Sequence, residues 1–202
     1  MAMTATPKPH VAVIGTGGTI ASMGTGPLDI LDYGANQTML HVDDIIARFP
    51  AVHEVARVMP VRFETLPSTQ VFFPQWQALI GHIDTLVAEH PDLDGIVISH
   101  GTATMEETAY FLNLTLQVEI PVVLCGSQRP ASALSTDAGM NLVNAVRTAA
   151  SPHSRGLGVL VVLNDEIQAA REVTKTSTYR MQTFRSPDFG VLGHADGDAV
   201  VY

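Results

Sequence analysis

A three-layer α/β sandwich built on a mostly parallel sheet, Rossmann-like or flavodoxin-like, is the fold class this sequence predicts. Short apolar runs recur at residues 11–14, 58–63, 96–98, 122–124 and 159–163, and helical patterns fill most of the intervals between them. That alternation is the signature of parallel strands joined by crossover helices. Two of the runs end in loops that carry glycines and threonines, at the strand ends where open sheets collect ligands.

Residues 1–9 hold no continuous apolar run and are expected as a flexible N-terminal segment; residues 10–202 are expected as one domain. His10-Val11-Ala12-Val13-Ile14 reads as the first strand, running into the loop Gly15-Thr16-Gly17-Gly18-Thr19. Residues 74–90 form the clearest helix, because Trp76, Leu79, Ile80, Ile83, Leu86 and Val87 fall at spacings of three and four after a proline suited to a first turn. Gly95-Ile96-Val97-Ile98-Ser99 is the next strand, followed by the loop His100-Gly101-Thr102-Ala103-Thr104. Glu106 and Glu107 then put negative charge in the first turn of a helix carrying Tyr110, Phe111 and Leu112, a structural role that the helix macrodipole favours.

Residues 121–125 are an apolar strand in which Cys125 is expected as a small buried hydrophobe. A helix over 137–149 should turn Leu142, Val143, Ala145 and Val146 inward, with the Asp137 carboxylate as its N-cap. Residues 171–187 lose periodicity while carrying Lys175, Arg180 and Arg185, which suggests a long crossover or site-forming loop. Val191-Leu192-Gly193 and Ala199-Val200-Val201-Tyr202 flank an Asp196-Gly197 turn signal and read as a terminal hairpin.

Composition narrows the function. A chain of 202 residues that is 46% hydrophobic can bury a sizeable core. A formal net charge of −9 with only 11 lysines and arginines argues against a nucleic-acid partner, since neutralising phosphates needs clustered cations. One cysteine cannot form an internal disulfide, and no apolar run reaches the ~18 residues of a membrane span. A cytoplasmic protein acting on small molecules, without a membrane partner, is the expectation.

Two threonine loops at like ends of strands point to a single site. The first invites a dinucleotide reading, but Gly15-Thr16-Gly17-Gly18-Thr19-Ile20 has isoleucine where the fingerprint's third glycine belongs, so no such cofactor is expected. A serine-hydrolase arrangement lacks its Gly-x-Ser-x-Gly elbow. The eight histidines include no ligand-spaced pair with a nearby carboxylate, so no metal is expected; His100 should orient its loop.

Thr16-Gly17-Gly18-Thr19-Ile20-Ala21, His100-Gly101-Thr102 and Val173-Thr174-Lys175-Thr176 together resemble three motifs of the bacterial-type L-asparaginase/glutaminase family. The likeness extends over Gly126-Ser127-Gln128-Arg129-Pro130 and Val161-Val162-Leu163-Asn164-Asp165, from about residue 10 onward. It covers the family's N-terminal domain; family members usually continue into a second, smaller α/β domain. The resemblance implies hydrolysis of the side-chain amide of L-asparagine, and of glutamine to some extent, through a threonine nucleophile and an acyl-enzyme, without a cofactor. By the same resemblance Thr19 is the nucleophile, Tyr33 covers it from a mobile loop within residues 22–37, and Thr102 with Lys175 activates the nucleophile or the hydrolytic water. Ser68 and Thr69, in Leu66-Pro67-Ser68-Thr69-Gln70, stand where the family holds the substrate's α-carboxylate, and the backbone carbonyl of Ser127 stands where it approaches the amide. Family members assemble as homodimers and tetramers, so a homo-oligomer is expected where the second domain is present.

One departure matters. The family usually has Thr-Asp-Thr where this chain has Thr102-Ala103-Thr104. In the family that aspartate supports the lysine and helps hold the substrate's α-ammonium. Losing one acid–base group typically removes ~10²–10⁴-fold of rate. Asp137 or Glu166 could supply a substitute acid to the lysine from a neighbouring loop. Two alternatives follow from Ala103: an amidase for a small amide without an α-ammonium, or a catalytically weakened module that binds asparagine or aspartate.

Overall fold

The computed structural model describes residues 7–36 and 38–202. Of the expected flexible segment 1–9, residues 1–6 lie outside the described residues, as does Gln37 at the end of the expected loop 22–37. The chain runs through β1 (His10–Gly17), α1 (Val42–Arg48), α2 (Val52–Val55), β2 (Arg57–Leu66), α3 (Phe73–Glu89), β3 (Gly95–Ser99), α4 (Met105–Thr115), β4 (Val122–Cys125), α5 (Ala138–Ala150), β5 (Leu160–Leu163), β6 (Glu166–Ala169), β7 (Thr174–Lys175), β8 (Phe184–Arg185), β9 (Gly193–Asp196) and β10 (Ala199–Val201).

The main sheet has the order β10-β9-β6-β5-β4-β3-β1-β2. Its five strands β2-β1-β3-β4-β5 are parallel, the flavodoxin-like order, whereas β6, β9 and β10 extend the sheet by antiparallel pairing. The expected terminal hairpin is β9–β10, turned at Gly197 with φ 57° and added to the edge of that sheet.

Alternation along the strands builds the three layers. Val11, Val13, Val97, Val123, Cys125, Leu160 and Val162 face α1, α2 and α5 in one core cluster. Ala12, Ile14, Ile96, Ile98, Val122, Leu124 and Val161 face α3 and α4 in the other. Strands buried on both faces explain the near-continuous apolar runs, and α5 turns Leu142, Val143, Ala145 and Val146 inward as expected. Cys125 is fully buried, and desolvation pushes its thiol up to about 12, so it stays protonated.

Three expectations need correcting. β1 runs on through Gly17, because Gly15 and Gly17 still pair with Arg62 and Leu66 of β2 across a register shift; the loop begins only at Gly18. Asp137 stands at the N-cap of α5 but makes no side-chain cap, since its carboxylate accepts hydrogen bonds from the Gln128 and Arg129 amides and from Asn141 Nδ2. The aperiodic segment 171–187 contains a small ladder, β7 against β8, that forms a separate two-stranded sheet.

Candidate active site

In a 2-1-3-4-5 sheet the chain leaves β1 and β3 in opposite directions, and the crevice between their carboxyl ends is where ligands bind. Thr19 follows β1 after the single residue Gly18, opening a short turn over Thr19–Ala21, and Thr102 sits in the loop between β3 and α4. Turn Ser68–Gln70, just after β2, closes the third side. These loops are held by hydrogen bonds that each involve at least one backbone group. Gly18 N donates to Leu66 O at 3.1 Å, Ala103 N donates to the Ser68 hydroxyl at 3.2 Å, and Thr104 Oγ1 donates to Ser68 O at 2.6 Å.

A cavity of about 860 Å³ opens there and gathers Thr19, Tyr33, Ser68, Thr69, Thr102, Ala103 and Lys175 in its lining. Seven of the eight sequence-derived candidates therefore meet at one place. The eighth, Ser127, is fully buried and absent from that lining; its hydroxyl donates to Arg129 O at 2.6 Å, and the neighbouring Gln128 reaches the cavity instead.

Two contacts, a hydroxyl pair and an amine–hydroxyl pair, bear on the chemistry the site can do. Thr19 Oγ1 lies 2.9 Å from the Tyr33 hydroxyl, and either can be the donor. Tyr33 belongs to the short turn Tyr33–Asn36. Lys175 Nζ donates to Thr102 Oγ1 at 2.7 Å. Lys175 is half-buried on β7, and desolvation holds its ammonium below the usual lysine range, with the Glu106 carboxylate pulling the other way. At the same distance a neutral amine accepts the Thr102 proton rather than donating one. The arrangement can thus move a proton through a threonine oxygen to a lysine, beside a second hydroxyl free to attack a carbonyl.

The acids proposed as substitutes at position 103 are engaged elsewhere: Asp137 as above, and Glu166 by Gln168 Nε2 at 2.9 Å and Gln182 Nε2 at 3.3 Å. The carboxylate beside Lys175 is that of Glu106, which accepts from Thr174 Oγ1 and from the Lys175 backbone N–H. Sequence reasoning gave Glu106 only a helix-end role. Its four-residue separation from Thr102 was the available signal. His41, Leu31 and Tyr179 also line the cavity and were not anticipated.

His100 does orient its loop. Fully buried, it sits with Nδ1 2.7 Å from Gly101 O and Nε2 3.1 Å from Thr108 Oγ1, which also receives the Trp76 indole N–H at 2.8 Å. A neutral ring satisfies both contacts, donating from Nδ1 and accepting at Nε2 when the one Thr108 hydroxyl proton is given to the ring and not to Thr104 O at 3.0 Å. Desolvation lowers its pKa from 6.5 to about 4. A depressed pKa means that the unfolded chain takes a proton as pH falls below 6.5 while the folded chain does not, so stability is lost between pH 6.5 and 4. The loss from this group is on the order of 3 kcal/mol. Urea unfolding of the parent and His100→Gln at pH 7 and pH 4 should show an acid-induced drop that is larger in the parent by that amount. Equal drops would mean that His100 is not held neutral.

Among the described residues no three His, Cys, Asp or Glu side chains converge as a metal site, and no helix is long and apolar enough to cross a membrane.

Comparison with known proteins follows the same residues. The family described as asparaginase, N-terminal, matches residues 10–202. A probable periplasmic L-asparaginase of Haemophilus influenzae is 43% identical over 194 residues, covering 96% of this chain and 54% of that protein. A glutaminase-asparaginase of Pseudomonas fluorescens biotype A is 40% identical over 190 residues, covering 94% and 51%. The crystal structure of a probable cytoplasmic L-asparaginase from Campylobacter jejuni superposes with a TM-score of 0.90 at 38% identity, covering 96% of this chain and 58% of that one. The chain spans about half the length of the curated relatives it matches.

Proposed function

This chain belongs to the asparaginase family, as a match to its N-terminal domain, and on that premise we propose that it is an amidohydrolase releasing ammonia from the side-chain amide of L-asparagine, and of glutamine to a lesser extent. The observation that carries the reading is the pair of contacts facing one cavity, Thr19 Oγ1 to the Tyr33 hydroxyl at 2.9 Å and Lys175 Nζ to Thr102 Oγ1 at 2.7 Å. The names of the relatives support the substrate.

In this reading the Thr19 oxygen attacks the amide carbon and gives up its hydroxyl proton, the C–N bond breaks, and nitrogen leaves as ammonia carrying that proton. The resulting ester on Thr19 is cleaved by water, whose proton passes through the Thr102 hydroxyl to neutral Lys175 and is returned to the departing Thr19 oxygen, and the acid departs. No cofactor enters. Ser68 and Thr69 are assigned to the substrate's carboxylate, and the Ser127–Gln128 backbone to the amide end. A homo-oligomer, dimer or tetramer, belongs to the same reading; exposed Phe72, Phe73, Tyr110 and Leu114 offer apolar surface for it on and beside α3 and α4. A cytoplasmic location is supported by the name of the Campylobacter protein, while that of the Haemophilus protein is periplasmic.

The test is ammonia release from L-asparagine by the purified chain, with calorimetric titration of L-aspartate beside it. Release supports the hydrolase. Tight aspartate binding without release would turn the reading into a binding module.

A second reading rests on Ala103. Among the described residues lining the cavity there is no carboxylate, so an α-ammonium finds no counterion there, which favours a small amide lacking that group, such as succinamic acid. Ala103→Asp should then raise kcat/KM for asparagine about 10-fold or more, the worth of one charged hydrogen bond, without raising it for succinamic acid. Equal gains for both amides would show that residue 103 acts on the lysine and not on the ammonium.

A further inference from the structure

Lys175 comes to the cavity on a strand of two residues that pairs only with β8, outside the main sheet. Val173 and Phe184 anchor this ladder by burying their side chains in the core, but apolar contacts are non-directional and leave its position along α4 weakly specified. Directional contacts come from Glu106, in the first turn of α4. Its carboxylate accepts from Thr174 Oγ1, 3.1 and 3.2 Å from the two oxygens, and from the backbone N–H of Lys175. Thr102, four residues earlier, holds the other end of the same lysine at Nζ.

We propose that Glu106 is a positioning residue for the Thr102–Lys175 pair, its carboxylate fixing β7 against the N-terminus of α4 so that the lysine tip meets the threonine hydroxyl. The role rests on the amidohydrolase reading and deepens it. Glu106 grips the backbone of the residue whose side chain Thr102 grips, so the two contacts set the lysine's position and direction together. A carboxylate suits this place twice over, since it also lies at the positive end of the α4 dipole. Its charge acts on Lys175 as well, opposing the loss of the lysine's proton that burial promotes. Among the described residues that line the cavity, the other titratable groups are His41, Tyr33 and Tyr179, while Asp137 and Glu166 are occupied by their own partners.

Lys8 and Lys175 are the only lysines in the sequence, so carbon-13 labelling at lysine Cε gives two NMR signals, assigned by Lys8→Arg. The experiment measures the Lys175 titration and the asparagine kinetics of the full chain, Glu106→Gln and Thr174→Val. In Glu106→Gln the Lys175 signal should titrate at lower pH than in the parent, and kcat should fall by about 10²-fold, the cost of an ångström of misplacement, with KM changed less than about 2-fold. Thr174→Val, which keeps the charge and removes one contact, should lower kcat less and leave the titration in place. A lysine merely released into water by a damaged loop would titrate higher, toward its ordinary value, and that result would overturn the proposal. So would a folded Glu106→Gln with unchanged titration and kcat. If the parent releases no ammonia, the amidohydrolase reading fails, while the titration still decides whether Glu106 governs Lys175.

Discussion

Thr19→Ala is expected to abolish ammonia release from L-asparagine, lowering kcat by at least about 10³-fold while leaving the fold and aspartate binding nearly intact. The argument begins with chemistry: an amide hydrolysed through an acyl-enzyme needs one oxygen that forms and then loses a bond to carbon, and alanine has none. Geometry makes the variant a clean one. Thr19 is half-buried at the start of a short turn, and its hydroxyl bonds only to Tyr33 among the contacts described. Losing one such hydrogen bond costs about 1 kcal/mol. Thermal melts and aspartate titration run beside the kinetics separate the outcomes. Retained ammonia release in Thr19→Ala would move the nucleophile to another group, with Thr102 the first to examine.

Gly18→Ala is expected to destabilise the chain by several kcal/mol and to disable the site at the same time. Gly18 has φ 80° and ψ −169°, a region almost closed to residues with a side chain, which by itself costs about 1–3 kcal/mol. A Cβ there would stand 2.1 Å from Gly101 Cα and 2.4 Å from Gly101 N, atoms of backbone that have no rotamer to change. The loop after β1 must therefore move away from the loop after β3, adding a further ~1–3 kcal/mol of overpacking. For a domain of this size that corresponds to a fall in Tm of about 10 °C. It also separates Thr19 from Thr102, so kcat should fall by about 10²-fold in whatever fraction remains folded. Scanning calorimetry with kinetics well below the transition checks both. A Tm within a degree or two of the parent would mean that the two loops are not packed against each other as described.

Much of this molecule was legible before its structure. The five parallel strands, the helices α3, α4 and α5, and the terminal hairpin follow from apolar runs of strand length, spacings of three and four, and an Asp-Gly turn, all of which are local patterns. Helix α1 was not read from the sequence: Val42, Ile45 and Ile46 are buried at one face and Asp43 and Asp44 stand in its first turn, but at seven residues it falls below the length at which periodicity stands out. Strand β6 was hidden for a different reason. Glu166-Ile167-Gln168-Ala169 carries two polar residues in a four-residue run, and Gln168 is buried with its amide satisfied by Ser186, Glu166 and Phe184, partners that no local pattern announces.

Sequence by itself determined a resemblance to one family, and through it named Thr19, Thr102, Lys175, Ser68 and Tyr33 as candidates from separate stretches of the chain, all of which line one cavity. What only the tertiary structure decided is how these groups are held. Asp137 obeyed a local capping rule on paper, but two backbone amides brought from residues 128 and 129 outcompeted its own helix. Glu106 looked like a helix-end charge, and became the anchor of Lys175 because β7, 69 residues away along the chain, arrives at that helix end. Local pattern is written in spacing along the chain, whereas a carboxylate's partner is whichever donor the fold delivers to it, and that delivery depends on the packing of every element between them.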